Sequence, residues 1–168
     1  MRLVRHLLAV GLPFVVTVVV PAYMVRTSGR PNAGWGISSP LGLLPTLPGS
    51  VLIGMGLFLV CRTVLLFATE GQGTLAPWDP PQRLVVRGPY RHVRNPMISG
   101  VLFVLLGEAI LLGSLPLLVW FFVFFALNAL TMPLIEEPLL ESRFGSDYAA
   151  HKRNVPRWIP RLKPWTPG

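Results

Sequence analysis

Four apolar runs, each close to the length that crosses a lipid bilayer, constrain this chain more than any other feature. The first, Leu7 to Val25, holds nineteen residues without a charge, and about 20 apolar residues in helix cross a hydrocarbon core. Ser50 to Thr69, Met97 to Leu112 and Pro116 to Ile135 follow. The last two are separated only by Gly113-Ser114-Leu115-Pro116, which reads as a tight turn. Of 168 residues, 52% are hydrophobic and 13% charged, where a soluble domain has roughly a quarter charged. One aqueous core cannot absorb runs of that kind. The reading is an all-α integral membrane protein of about four transmembrane helices, with a cytoplasmic loop and an amphipathic C-terminal tail. Residues 1–48 supply the first span and a Gly/Pro/Ser-rich outer loop, and residues 49–168 the remainder.

Basic residues orient the spans. The N-terminus, the 70–95 segment and the tail carry twelve Lys and Arg, against two in the 26–48 loop. The positive-inside rule then places both termini and the 70–95 segment in the cytoplasm. Arg2 and Arg5 also resemble the start of a signal peptide, but Val20-Pro21-Ala22 is a poor cleavage site, so the first run reads as a retained helix. Trp35 and Trp120 fall near the outer interface, and Trp78, Trp158 and Trp165 near the inner one. The net charge of +8 lies at the ends of apolar runs, where it meets lipid headgroups; no basic helix or aromatic-basic module suggests nucleic acid. Cys61 stands alone beside His6, His92 and His151, so neither a disulfide nor a metal site is expected.

Three polar segments could carry chemistry. Gly71-Gln72-Gly73-Thr74-Leu75-Ala76 matches a dinucleotide pattern, but that motif needs a strand before it and a helix after it, and Pro77, Pro80 and Pro81 forbid the helix. In the segment from Arg87 to Pro96, Asn95-Pro96 reads as an N-cap and first helical residue crowded by arginines. It is either a headgroup contact or an anion site made by helix N–H groups and arginine. Glu136 and Glu137 end the fourth run, either as ion-pair partners of those arginines or as ligands for an ammonium or ribose. Beyond them, Leu140, Phe144 and Tyr148 form one apolar stripe of a helix on the inner leaflet, which Gly145-Ser146 can break. Arg62, Glu108 and Asn128 lie within the runs, and intramembrane polar groups are functional candidates by default.

The ordered strings GQGTLAPWDPP, GPYRHVRNPMISG, EEPLLESRFGSDY and VPRWIP complete the pattern. Over residues 49–165 the chain resembles the isoprenylcysteine carboxyl methyltransferase family, in its short bacterial members, which are related to phospholipid N-methyltransferases. That resemblance implies a membrane methyltransferase core over 49–168 using S-adenosylmethionine (SAM), in a bacterial inner membrane. It implies that Tyr90, His92, Arg94, Asn95, Pro96, Gly100, Glu136 and Glu137 enclose the cofactor. Arg62, Asn128 and Arg157 are expected on the side of a lipophilic acceptor, a carboxylate or an amine; no side chain stands out as catalytic. Eukaryotic members commonly carry histidine where Asn95 stands and tyrosine where Ile98 stands, which leaves the substrate class open. Two other readings stand beside it: an NADPH-dependent reductase related to membrane sterol reductases, and a non-catalytic tetraspan.

Overall fold

The computed structural model describes residues 11–28, 33–37, 40–69 and 83–166. The Gly71–Ala76 string and Trp78 lie outside them. Among the described residues every regular element is helical. Helix α1 spans Gly11–Thr27, α2 spans Leu43–Thr69, α3 spans Pro96–Leu112 and α4 spans Leu115–Thr131. A π-helical turn, Met132–Glu136, joins α4 to α5, Glu137–Asn154. Short 3-10 turns occupy Ala33–Gly36 and Gly88–Arg91.

Two boundaries differ from the sequence reading. Helix α2 begins at Leu43 and not at Ser50. Pro45 falls in its first turn, where backbone N–H groups have no helical acceptor and a missing one costs nothing. Thr46 Oγ1 also donates to the Gly42 carbonyl at 2.7 Å, tying that turn down. The fourth run does not stop at Ile135 either. Pro133 and Pro138 each lack an N–H and crowd the carbonyl four residues back, and the wider π turn accommodates both without ending the helix. The break comes at Gly145, whose φ of 53° and ψ of −126° are not helical.

That break reverses the chain. Lys152 Nζ lies 3.3 Å from Glu137 Oε2, although fifteen residues of straight helix would separate them by about 22 Å. The second arm of α5 therefore folds back along the first. The stripe of Leu140, Phe144 and Tyr148 is not one continuous face, and Tyr148 is buried within the protein.

Helices α2 and α3 pack antiparallel through glycines spaced seven apart. A Cβ on Gly56 would stand 2.5 Å from the Gly100 carbonyl oxygen, and one on Gly107 would stand 2.7 Å from that of Gly49. Backbones this close are a recurrent way for apolar helices to associate where no hydrophobic force drives them together. Helix α3 is the most enclosed element. Val101, Leu102 and Leu105 meet Phe124 of α4, with Val16 of α1 and Trp158 of the tail packed against them. Trp120 Nε1 donates to the Val16 carbonyl at 3.2 Å. At the Gly113 end of the bundle, Trp35 Nε1 donates to the Ile110 carbonyl at 2.7 Å.

The outward faces are apolar: Phe58, Leu65, Phe122 and Leu134 are all exposed, a pattern that lipid satisfies and water does not. Two helices, Leu43–Phe67 and Leu115–Asn154, are long and apolar enough to cross a membrane by length and composition. Helix α3 is shorter, with 17 residues, or about 25 Å.

Candidate functional site

Among the described residues the ion-paired side chains gather at the end of the bundle opposite Gly113, where α2 ends, α3 begins and the tail returns. Gly88, at φ 52°, opens the 3-10 turn and packs against Leu66 of α2. Tyr90 is buried edge-on to Phe67, at 5.6 Å between ring centres. Desolvation, and then the charge of Glu136, push the Tyr90 phenol up, so it stays neutral.

The tail clasps residues 91–94 by backbone bonds running antiparallel. Arg94 N–H donates to the Pro156 carbonyl at 2.9 Å, Arg161 N–H to that of His92 at 3.0 Å, and Trp165 N–H to that of Arg91 at 2.9 Å. Side chains reinforce the clasp. Arg91 Nε donates to the Trp165 carbonyl at 2.7 Å, and His92 Nδ1 lies 2.8 Å from the Arg161 carbonyl. A carbonyl only accepts, so His92 carries its proton on Nδ1. The same logic puts a proton on His151 Nε2, which lies 2.9 Å from the Tyr90 carbonyl. His151 Nδ1 is buried without a partner among the described residues. Burial lowers the His151 pKa, the Tyr90 carbonyl partly opposes this, and the charge of Arg94 lowers it further. His151 is neutral.

Glu137 is the hub. Its Oε1 accepts from Arg94 Nη1 at 2.9 Å and from Arg157 Nε at 2.7 Å, with Arg157 Nη2 at 2.6 Å. Lys152 bridges its Oε2 to Glu141 at 3.2 Å. Burial alone would raise this carboxyl, but hydrogen bonds from Arg157 and Lys152 and the charges of Arg94 and Arg157 hold it below the usual range. Tyr148 sits against the same group, its phenol raised by burial and then by Glu137, with Arg94 opposing. Three cations face two carboxylates, which leaves the cluster one positive charge in excess. Glu136 stays apart: it is exposed, and among the described residues no hydrogen bond or ion pair joins it to the cluster. Despite that exposure, partial desolvation and then the charge of Glu137 raise its carboxyl.

Asn95 departs from the expected cap. It holds the N-cap position of α3, yet its side chain makes no capping bond; Nδ2 turns to Met132 Sδ at 3.0 Å instead. Two causes are visible. Its ψ of 62° is not that of an ordinary cap, and buried Met132 from the π turn offers a polarizable acceptor. Asn95 therefore leaves the Met97 and Ile98 N–H groups of the first turn uncapped, while Ser99 N–H reaches the Asn95 carbonyl at 3.0 Å. Beside them Arg94, with its side chain 10% exposed, keeps Nε buried with no hydrogen-bond partner among the described residues. Unfilled donors and a net positive cluster share one place, which is what an anionic group requires.

The other expected residues are distributed as follows. Pro96 is buried as the first residue of α3, and Gly100 is enclosed by α2, its Cα facing Gly56. Ile98 packs on the core. Asn128 Nδ2 donates back to the Phe124 carbonyl at 2.8 Å, and Arg62 is exposed on α2. Glu108 sits at the far end of α3 with Oε2 buried and unpartnered among the described residues. Sequence reasoning did not place Tyr148, His151 and Lys152 at the site. Only the reversal at Gly145 brings them there, and the one signal for it was that glycine.

Apolar helices with the charged cluster of the described residues at one end are the arrangement of a membrane protein with a polar end. The chain belongs to the phospholipid methyltransferase family, whose model matches residues 45–147. The match takes in α2, α3, α4 and the Arg94–Glu137 pair, and stops before Lys152 and Arg157. It supports the methyltransferase kinship at this broader level and not the isoprenylcysteine branch in particular. Methyltransferases of this family generally use SAM. No curated protein and no solved structure matches the chain.

Proposed function

We propose that this protein is a SAM-dependent methyltransferase of the membrane, with four spans and both termini cytoplasmic, acting on a lipophilic acceptor at the inner interface. The observation that carries this reading is the uncapped N-terminus of α3 beside the unsatisfied Nε of Arg94. Residues present fit a carboxylate-bearing cofactor: the α3 N–H groups and Arg94 would hold its carboxylate, Glu137 is taken up in positioning Arg94, and Glu136 lies at the same end for cationic or hydroxyl groups. When bound, SAM supplies an electrophilic methyl, which an acceptor lone pair takes as the C–S bond breaks and sulfur keeps the pair. No metal or covalent enzyme intermediate is needed for that displacement.

The chain's own part is placement. The Glu137 hub fixes Arg94, Arg157 and Lys152, and the tail clasp fixes the backbone of residues 91–94, so the anion-holding groups are set before anything binds. Buried Tyr90, Tyr148 and neutral His151 keep the floor of the site dry. A lipid acceptor approaches sideways between apolar helix faces, and a soluble cofactor comes from the aqueous end. The family match favours this reading over a reductase and over a non-catalytic tetraspan.

The test compares SAM with an analogue lacking the carboxylate, in wild type and in Arg94→Gln, by calorimetry on purified protein. Wild type should prefer SAM at least tenfold, and the variant should lose most of that preference. Equal discrimination by both proteins would remove Arg94 from the cofactor site. Incubation with methyl-labelled SAM and membrane lipids, read by mass spectrometry, then identifies the acceptor.

A further inference from the structure

The tail after α5 touches both the apolar belt of the bundle and the backbone of the site. Trp158 packs against the cluster of Val101, Leu102, Leu105 and Phe124, and tilts against Phe125 at 5.5 Å between ring centres. Phe125 stands six residues before Thr131, the end of α4, or about 9 Å inside the apolar helix. Phe122, one turn deeper on the same face, is exposed. Three residues past Trp158 the chain is back at the polar end, where Arg161 N–H meets the His92 carbonyl and Trp165 N–H that of Arg91. On that course it carries the two most exposed large apolar side chains of the described residues, Ile159 at 80% and Leu162 at 97%. Pro160 and Pro164 keep the strap from coiling into helix, so its shape is set before it meets a partner.

The same stretch is uniformly basic. Residues 149–168 hold five Lys and Arg and no acid. Glu137 takes up Lys152 and Arg157. Arg161 Nη1 donates to the Asn154 carbonyl at 2.7 Å, which leaves its charge unbalanced. Arg153 and Lys163 are exposed, with no carboxylate partner among the described residues. Bare apolar side chains among unbalanced cations, beside an apolar belt, fit a leaflet that bears anionic headgroups. A zwitterionic leaflet would leave the charges unmet, and a soluble anion would leave the apolar groups in water. We propose that the 158–163 strap docks on anionic lipid. Ile159 and Leu162 enter among the first methylenes, Arg153, Arg161 and Lys163 meet headgroup phosphates, and docking holds the tail closed on residues 91–94. The bonds from Arg161 and Trp165 belong to a segment without regular structure, where local opening costs little. A lipid surface that binds only the closed form suppresses that opening by mass action. The docking stands without the methyltransferase reading and rests on it only where residues 91–94 lead into the cofactor site, so that lipid charge tunes cofactor affinity.

The full chain is placed in nanodiscs of phosphatidylcholine, alone or with one lipid in three replaced by phosphatidylglycerol. Amide hydrogen exchange over residues 91–94 and 161–165 is followed by mass spectrometry. Wild type should exchange about tenfold more slowly with phosphatidylglycerol. So should Leu44→Ser, which removes an exposed apolar side chain from the first turn of α2. The double variants Arg153→Gln/Lys163→Gln and Ile159→Ser/Leu162→Ser should each lose most of that gain, and high salt should copy the first loss in wild type. All four residues are exposed, so both variants should unfold at the wild-type temperature in phosphatidylcholine. Equal exchange of wild type in the two discs overturns the proposal. So does a full gain in both tail variants, or a gain reproduced by soluble glycerol phosphate in phosphatidylcholine discs. SAM affinity, read by calorimetry, should rise about threefold with phosphatidylglycerol; a flat affinity beside slowed exchange overturns the link to the site. If SAM binds in neither disc the cofactor reading fails, and exchange alone decides the docking.

Discussion

Glu137 shows how much one side chain can organise. Its carboxylate pairs with Arg94, Arg157 and Lys152 while only 5% of its side chain meets solvent. Glu137→Gln keeps the shape and leaves Arg94 and Arg157 without their carboxylate, with Lys152 held by Glu141 alone. Removing one partner of a buried ion pair costs about 3–5 kcal/mol, so thermal unfolding in detergent should fall sharply, more than for Glu136→Gln. Acid should act on the same cluster in two stages. His151 has a folded pKa below its ordinary 6.5, so the unfolded chain binds a proton first and stability declines as pH falls from about 6.5. The Glu137 carboxyl is held below 4.5, so its contribution persists above that pH and is lost below it. His151→Gln, which can still donate to the Tyr90 carbonyl, should flatten the first stage and leave the second. Equal slopes above pH 5 in both proteins would contradict this. At this scale the sequence was readable where chemistry is local: Arg94 beside Asn95-Pro96, and paired acids at a span end. The turn of Asn95 towards Met132 was not readable, because its partner lies 37 positions away on another helix.

Among the elements, the α2–α3 pair is set by backbone contact. Gly56→Leu forces a side chain into the Gly100 carbonyl, so the helices must part; overpacking of this kind typically costs about 1–3 kcal/mol. Gly54→Leu, where a Cβ meets nothing within 4 Å, is the control and should unfold at the wild-type temperature in the same detergent. The apolar runs announced α1 to α4, and the turn at Gly113-Ser114 was legible from its residues. Length and hydropathy could not reveal the seven-residue glycine spacing as a contact, since it gains meaning only when α2 and α3 are paired. The return of α5 was equally hidden. A glycine permits a reversal, but the ion pair from Lys152 to Glu137 is what holds the second arm against the first.

For the molecule as a whole, twelve basic residues on one side against two on the other argue for a single orientation. In a Cys61→Ser background, an impermeant maleimide applied to intact cells should label Leu41→Cys and spare Leu162→Cys; the opposite pattern would invert the topology. Both positions are well exposed, at 60% and 97%, so access is not limiting. The unequal reach of the helices has a further consequence. Helix α2 has 27 residues against 17 in α3, a difference of about 15 Å, and the central helix is shorter than an average hydrocarbon core of about 30 Å. Paired with α2 through Gly49–Gly107 and Gly56–Gly100, it stops short at the end that carries Arg94 and Glu137. On the proposed reading, the methyl group would change hands in a recess below the ends of the longer helices, reached by water from one side and by lipid from the other.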